Sequence, residues 1–123
     1  MKSLSILYVE DNEELRDTFR EILEAEGREI VACANGEAAL ALWESRVFDV
    51  VLTDISLPGM SGTDLARRIL EKEPHKWIVL CSGYQYHHGL AALGPNVRSL
   101  PKPFELEELD ALIHEITGAL HKP

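Results

Sequence analysis

Two rhythms of apolar residues alternate along the chain. Short apolar runs appear at Leu4-Ser5-Ile6-Leu7-Tyr8-Val9, Glu29-Ile30-Val31-Ala32-Cys33, Phe48-Asp49-Val50-Val51-Leu52-Thr53, Trp77-Ile78-Val79-Leu80-Cys81 and Asn96-Val97-Arg98-Ser99-Leu100. Their length and their β-branched content predict five strands. The stretches between them carry helical spacing. Asn12 is a good N-cap for a helix over 13–26, with Leu15, Phe19, Ile22 and Leu23 as its buried stripe and Gly27 as its stop. Asn35-Gly36 opens a second helix to about Ser45, whose apolar bulk is Leu40, Leu42 and Trp43. Leu57-Pro58-Gly59-Met60 reads as a turn, and Ser61 with Asp64 resembles a capping box for a helix to about Glu73. A short helix is predicted over 85–93. A last one, over 105–120, places Leu106, Leu109, Leu112, Ile113, Ile116 and Leu120 on one face.

Strand and helix alternate five times. That order predicts an α/β fold, a doubly wound five-stranded parallel sheet with helices on both faces. The first, third and fourth strands are nearly continuous apolar runs, as parallel strands covered on both faces require. No linker, repeat or low-complexity stretch interrupts the pattern. The expectation is one domain over 1–123, with no room for an output domain after the last helix.

Composition narrows the class. The chain has 46% hydrophobic and 27% charged residues, a globular mix. No apolar run approaches the roughly 18–20 residues needed to span a bilayer, and no signal-peptide pattern opens the chain. The expectation is a cytoplasmic protein without membrane insertion. A net charge of −9 without a basic stripe argues against nucleic acid and favours partners with basic surfaces. Cys33 and Cys81 each end a strand-like run and read as small packing residues. His87-His88 has no partner at a ligand spacing.

In an open parallel sheet, ligands bind beyond the carboxyl ends of the strands. Glu10 and Asp11 follow the first strand, Asp54 ends the third, Ser82 and Gly83 follow the fourth, and Lys102 follows the fifth. Each alone is an ordinary loop or cap residue. Together they bring three carboxylates, one hydroxyl and one ammonium to a single edge. Repulsion would raise some carboxylate pKa values unless a cation sits among them. Hard oxygen donors with few protein contacts suit Mg²⁺. A carboxylate beside Mg²⁺ can act as a nucleophile toward phosphorus and form an aspartyl phosphate. Lys102 and the Ser82 hydroxyl could then hold the phosphoryl oxygens.

Four motifs carry a family resemblance: Val9-Glu10-Asp11-Asn12, Asp54 with Leu57-Pro58-Gly59-Met60-Ser61-Gly62, Ser82-Gly83-Tyr84, and Leu100-Pro101-Lys102-Pro103-Phe104. Over nearly its whole length the chain resembles a single-domain response-regulator receiver of bacterial two-component signalling, of the chemotaxis-receiver type. The resemblance implies a flavodoxin-like (βα)5 fold with strand order 2-1-3-4-5. It implies that Asp54 accepts a phosphoryl group from a sensor histidine kinase or a histidine phosphotransfer protein. Asp11 would bind Mg²⁺ directly, Glu10 directly or through water, and Ser56 through its backbone carbonyl. Ser82 and Lys102 would contact phosphoryl oxygens, and Gly83 would leave room for the group. The Lys102–Pro103 peptide would be cis. The protein would be a switch that changes partner binding, catalysing its own phosphotransfer and slow dephosphorylation without being a turnover enzyme. The downstream target and the oligomeric state stay open.

One departure stands out. The family usually carries an aromatic residue three positions before the lysine, and this chain has Ser99. The usual output coupling is therefore in question, and the glycine-containing segment 83–95 is the expected alternative carrier.

Other readings fit less well. A phosphatase of the haloacid-dehalogenase type wants a second aspartate two residues after the nucleophile, where Ser56 stands. A receiver-like interaction module without chemistry would not need Asp11, Asp54, Ser82 and Lys102 together. A flavodoxin-like redox protein lacks a visible hydroxyl-rich phosphate loop, and a Walker loop is absent.

Overall fold

A computed structural model describes residues 4–25, 27–82, 90–102 and 105–120, the side chains of 82, 90 and 91 excepted. Five strands, β1 (Ser5–Val9), β2 (Glu29–Cys33), β3 (Val50–Asp54), β4 (Trp77–Ser82) and β5 (Val97–Pro101), alternate with helices α1 (Glu13–Glu24), α2 (Gly36–Ser45), α3 (Gly62–Lys72) and α4 (Leu106–Leu120). The strands form one parallel sheet in the order β2-β1-β3-β4-β5. This is the doubly wound flavodoxin-like arrangement expected.

The side-chain alternation of a strand explains the two layers. Leu7, Val9, Val51, Ile78 and Leu80 pack on one face against Ala39 and Trp43 of α2 and Leu65, Ala66 and Ile69 of α3. Ile6, Tyr8, Leu52, Val79 and Cys81 pack on the other against Leu23 of α1 and Leu109, Ile113 and Ile116 of α4. With apolar side chains required on both faces, the central strands can afford few polar residues, and the buried polar pair Thr53-Asp54 lies at the carboxyl end of β3.

The caps are local. The side chains of Asn12, Asn35 and Ser61 each accept a backbone N–H from the first turn of the helix that follows. Each meets one donor that the helix itself leaves without a partner. Gly27 takes φ +78°, the left-handed conformation a helix stop needs, although α1 ends earlier than the spacing suggests.

Two expectations change. Leu15, Leu106 and Leu120 belong to the predicted buried stripes but are 41%, 39% and 39% exposed. A five-residue strand is roughly 16 Å long, while α1 and α4 run about 18 and 22 Å. The end turns of these helices overhang the sheet and have no core beneath them. The connection before β5 is, in its described part, a 3-10 turn at Leu90–Leu93 rather than an α-helix over 85–93. The Lys102–Pro103 peptide, Gly83, Tyr84 and His87-His88 lie outside the described residues.

Candidate functional site

The polar residues of the sheet's interior meet where β1, β3 and β5 end. Glu10 directly follows β1. Its N–H donates to the Cys33 carbonyl at 3.1 Å, which extends the β1–β2 pairing by one residue and fixes where its side chain leaves. Glu10 is only 5% exposed and Asp54, the last residue of β3, only 8%. Asp11 is exposed at the rim. Carboxylate oxygens of Glu10, Asp11 and Asp54 lie within 4.8 Å of one another. The ammonium of Lys102, just past β5, stands 2.6 Å from Asp54 Oδ1 and 3.6 Å from Glu10 Oε1.

The site therefore carries three negative charges against one positive. Burial, reinforced by the charge of Asp54, raises the Glu10 carboxyl above its ordinary range, against the pull of the Asn12 N–H and of Lys102. Burial by itself would lower the Lys102 ammonium. The hydrogen bond to Asp54 and the charges of Asp54 and Glu10 outweigh it, so its pKa is raised and it stays protonated. Cys81 pairs in register with Asp54 on the neighbouring strand; burial first, then the Asp54 charge, push its thiol up to about 12. A thiol held protonated is a packing residue, as expected from the sequence, and Cys33, half-buried, is shifted the same way by burial.

Glu10 carries a pH prediction for the metal-free protein. Its folded-state pKa lies above the ordinary value of 4.5. The unfolded chain therefore releases this proton first as pH rises, and Glu10 subtracts stability progressively as pH climbs from that value through the raised one. Urea titrations in a chelator should show a stability loss over that window that flattens in Glu10→Gln. An identical slope in the two proteins would contradict the shift.

A hard divalent ion fits the donor set. Mg²⁺ at 2.0–2.1 Å in an octahedron brings its oxygens about 3–4 Å apart, close to the spacing already present. Ser56 is exposed where the β3–α3 loop begins. Ser82 closes β4, in register with Pro101 of β5, with its side chain outside the described residues. The structure thus brings Glu10, Asp11, Asp54 and Lys102 into one cluster.

The sequence pattern does not single out two supports of this cluster. Arg16 Nη1 donates to the Glu10 carbonyl at 2.9 Å and ties α1 to the loop that bears Glu10 and Asp11. The Glu37 carboxylate accepts the Met60 N–H at 3.2 Å and holds the β3–α3 loop against α2. Both side chains look like ordinary helix-surface charges in sequence, and their partners emerge only in three dimensions.

A family profile, the response regulator receiver domain, matches residues 6–114. The chain belongs to the response regulator receiver family. Such receivers are regulatory phosphotransfer switches rather than turnover enzymes. The virulence sensor protein BvgS of Bordetella pertussis is 46% identical over 71 residues, 58% of this chain and 6% of that protein. The response regulator protein FleR of Pseudomonas aeruginosa is 33% identical over 110 residues, 88% of this chain and 23% of that protein. This receiver therefore spans a small part of those relatives' length. Among solved structures, the response regulator protein TrrA of Thermotoga maritima, in complex with Mg²⁺-BeF, superposes with a TM-score of 0.83 at 33% identity, covering 94% of this chain and 99% of that one. No helix among the described residues is long and apolar enough to cross a membrane.

Proposed function

We propose that this receiver, one domain over residues 1–123, is a cytoplasmic phosphoacceptor switch of a two-component phosphorelay that takes a phosphoryl group onto Asp54. One observation carries the reading: the buried Asp54 carboxylate, clustered with those of Glu10 and Asp11, faces the Lys102 ammonium at 2.6 Å. The donor is a phosphohistidine on a sensor histidine kinase or a histidine phosphotransfer protein. An Asp54 oxygen attacks phosphorus, the nitrogen–phosphorus bond breaks, and the electron pair leaves with the imidazole.

Glu10, Asp11, Asp54 and the Ser56 carbonyl would hold Mg²⁺, which would offset the charge of the phosphoryl oxygens and of the carboxylates around them. Lys102 begins on Asp54 and transfers its contact to a phosphoryl oxygen, so the cation that neutralises the resting site also stabilises the product. The Ser82 hydroxyl takes another phosphoryl oxygen. Ser56, a short side chain two residues after Asp54, is poorly suited to orient a hydrolytic water, and self-dephosphorylation is slow as a result.

Output follows from charge added at Asp54. Ser99 lies half-buried on β5, opposite Leu80 of β4, and has too little volume to act as an aromatic switch. The segment 83–95 carries the change to a protein partner. The acidic surface suits a basic docking face, and nucleic acid is not a partner.

Chemical denaturation tests the metal site. Mg²⁺ bound only by the folded state should stabilise the wild-type protein by an amount set by its concentration relative to its dissociation constant. Asp11→Asn should lose most of that gain. Without metal the variant should be at least as stable as wild type, because one repelling charge is gone. Equal stabilisation by Mg²⁺ in both proteins would remove Asp11 from the ligand set.

A further inference from the structure

Beside the acidic cluster, between α1 and α4, lies a pocket of about 370 Å³. Leu52 of β3, Leu15 and Phe19 of α1 and Leu109 of α4 line its apolar part. Tyr8 enters it from β1. This side chain is only 6% exposed, and among the described residues its hydroxyl has no hydrogen-bond partner. A phenol in such a position normally finds a partner. Here the hydroxyl faces a space that a molecule can fill. Leu15, left exposed by the overhang of α1, stands at the side of the opening.

The rim sets the charge of the occupant. Glu10, Asp54 and Lys102 also line the pocket, and Asp11 stands beside them, so carboxylates outnumber the ammonium three to one. In the metal-free protein an anion would meet that excess directly. The volume falls at the lower end of ligand pockets, which run roughly 300–1,000 Å³ and combine apolar walls with a few placed polar groups.

We propose that this pocket is a binding site for a small aromatic molecule of one or two rings that carries no negative charge, its polar atom paired with the Tyr8 hydroxyl. The pocket shares Glu10, Asp54 and Lys102 with the acidic cluster, but the inference does not rest on the phosphoacceptor reading, since nothing in it requires Asp54 to be modified. Because Asp54 and Lys102 border both, an occupant and a ligand at the acidic cluster influence each other reciprocally.

Indole is a suitable probe: two fused rings, uncharged, with one N–H that the Tyr8 oxygen can accept. Leucine-methyl NMR spectra of the metal-free protein should show saturable shifts at Leu15, Leu52 and Leu109, while Leu65, under the opposite face of the sheet, stays in place. Tyr8→Phe should weaken binding about three- to tenfold, the range of one hydrogen bond. Leu15→Trp, a change at an exposed position, should fill the mouth and abolish the shifts while preserving the dispersion of the remaining methyl signals. Indole-3-carboxylate should bind at least about tenfold more weakly than indole, because of the charge at the rim. Absence of saturable shifts up to the solubility limit would overturn the proposal. So would equal affinity of indole for wild type, Tyr8→Phe and Leu15→Trp, or binding of the carboxylate as tight as that of indole.

Discussion

Gly62→Ala should be among the most damaging single substitutions in this receiver. Gly62 opens α3, and its N–H donates to the Ile55 carbonyl at 2.9 Å, so the helix begins directly against the end of β3. A methyl group there would stand 2.0 Å from the Asp54 carbonyl oxygen, 2.8 Å from its carbon and 2.9 Å from Ile55 Cα. All three are backbone atoms at the end of β3, where the Ile55 N–H is still tied to the Cys81 carbonyl of β4, with nowhere to retreat. The start of α3 must move instead, and Leu65, Ala66 and Ile69, all fully buried, move with it. Overpacking of this kind costs about 1–3 kcal/mol and occasionally more. The strain also falls on the residue that presents the acceptor carboxylate, so phosphoryl uptake should drop beyond what lost stability explains. Gly59→Ala is the control. Its φ of +73° disfavours a side chain, but the nearest atom is the flexible Glu37 carboxylate at 3.0 Å, so its cost should be near 1 kcal/mol. Urea denaturation of the two variants compares them directly, and equal losses would contradict the close-approach account.

Much of this architecture is legible in the chain because its signals are local. Five runs such as Val50-Val51-Leu52 mark the strands, Asn12, Asn35 and Ser61 mark the helix starts, and the observed bounds differ from those expected by a residue or two. The acidic cluster is legible for a topological reason. Once alternating units imply a parallel sheet, Glu10, Asp11, Asp54 and Lys102 must share one edge, although they are distant in sequence.

What escaped the sequence depends on contacts between elements. A stripe of leucines on α4 says which side faces inward but not how far the sheet extends beneath it, and Leu106 and Leu120 lie past its reach. The stretch before β5 has neither a strong stripe nor a cap, and its described part tightens into a 3-10 turn at Leu90–Leu93. Arg16 and Glu37 support the site through backbone atoms of other elements, which no spacing rule encodes. Gly62 could be recognised as a glycine in a turn motif. That its missing side chain makes room for the Asp54 carbonyl is a fact of packing.

The loss of the acceptor should have the largest effect of all. Asp54→Asn keeps the size of the side chain but replaces the carboxylate by an amide, a poor nucleophile toward phosphorus. Lys102 loses the charge of its 2.6 Å partner, keeps an amide oxygen there to donate to and retains Glu10 at 3.6 Å, so the fold should persist while the chemistry stops. Intact-mass spectrometry after incubation with a small acyl phosphate measures this directly. Wild type should gain one phosphoryl group when Mg²⁺ is present and essentially none in a chelator, and Asp54→Asn should gain none in either condition. Labelling of Asp54→Asn to the level of wild type would contradict the assignment of Asp54 as the acceptor.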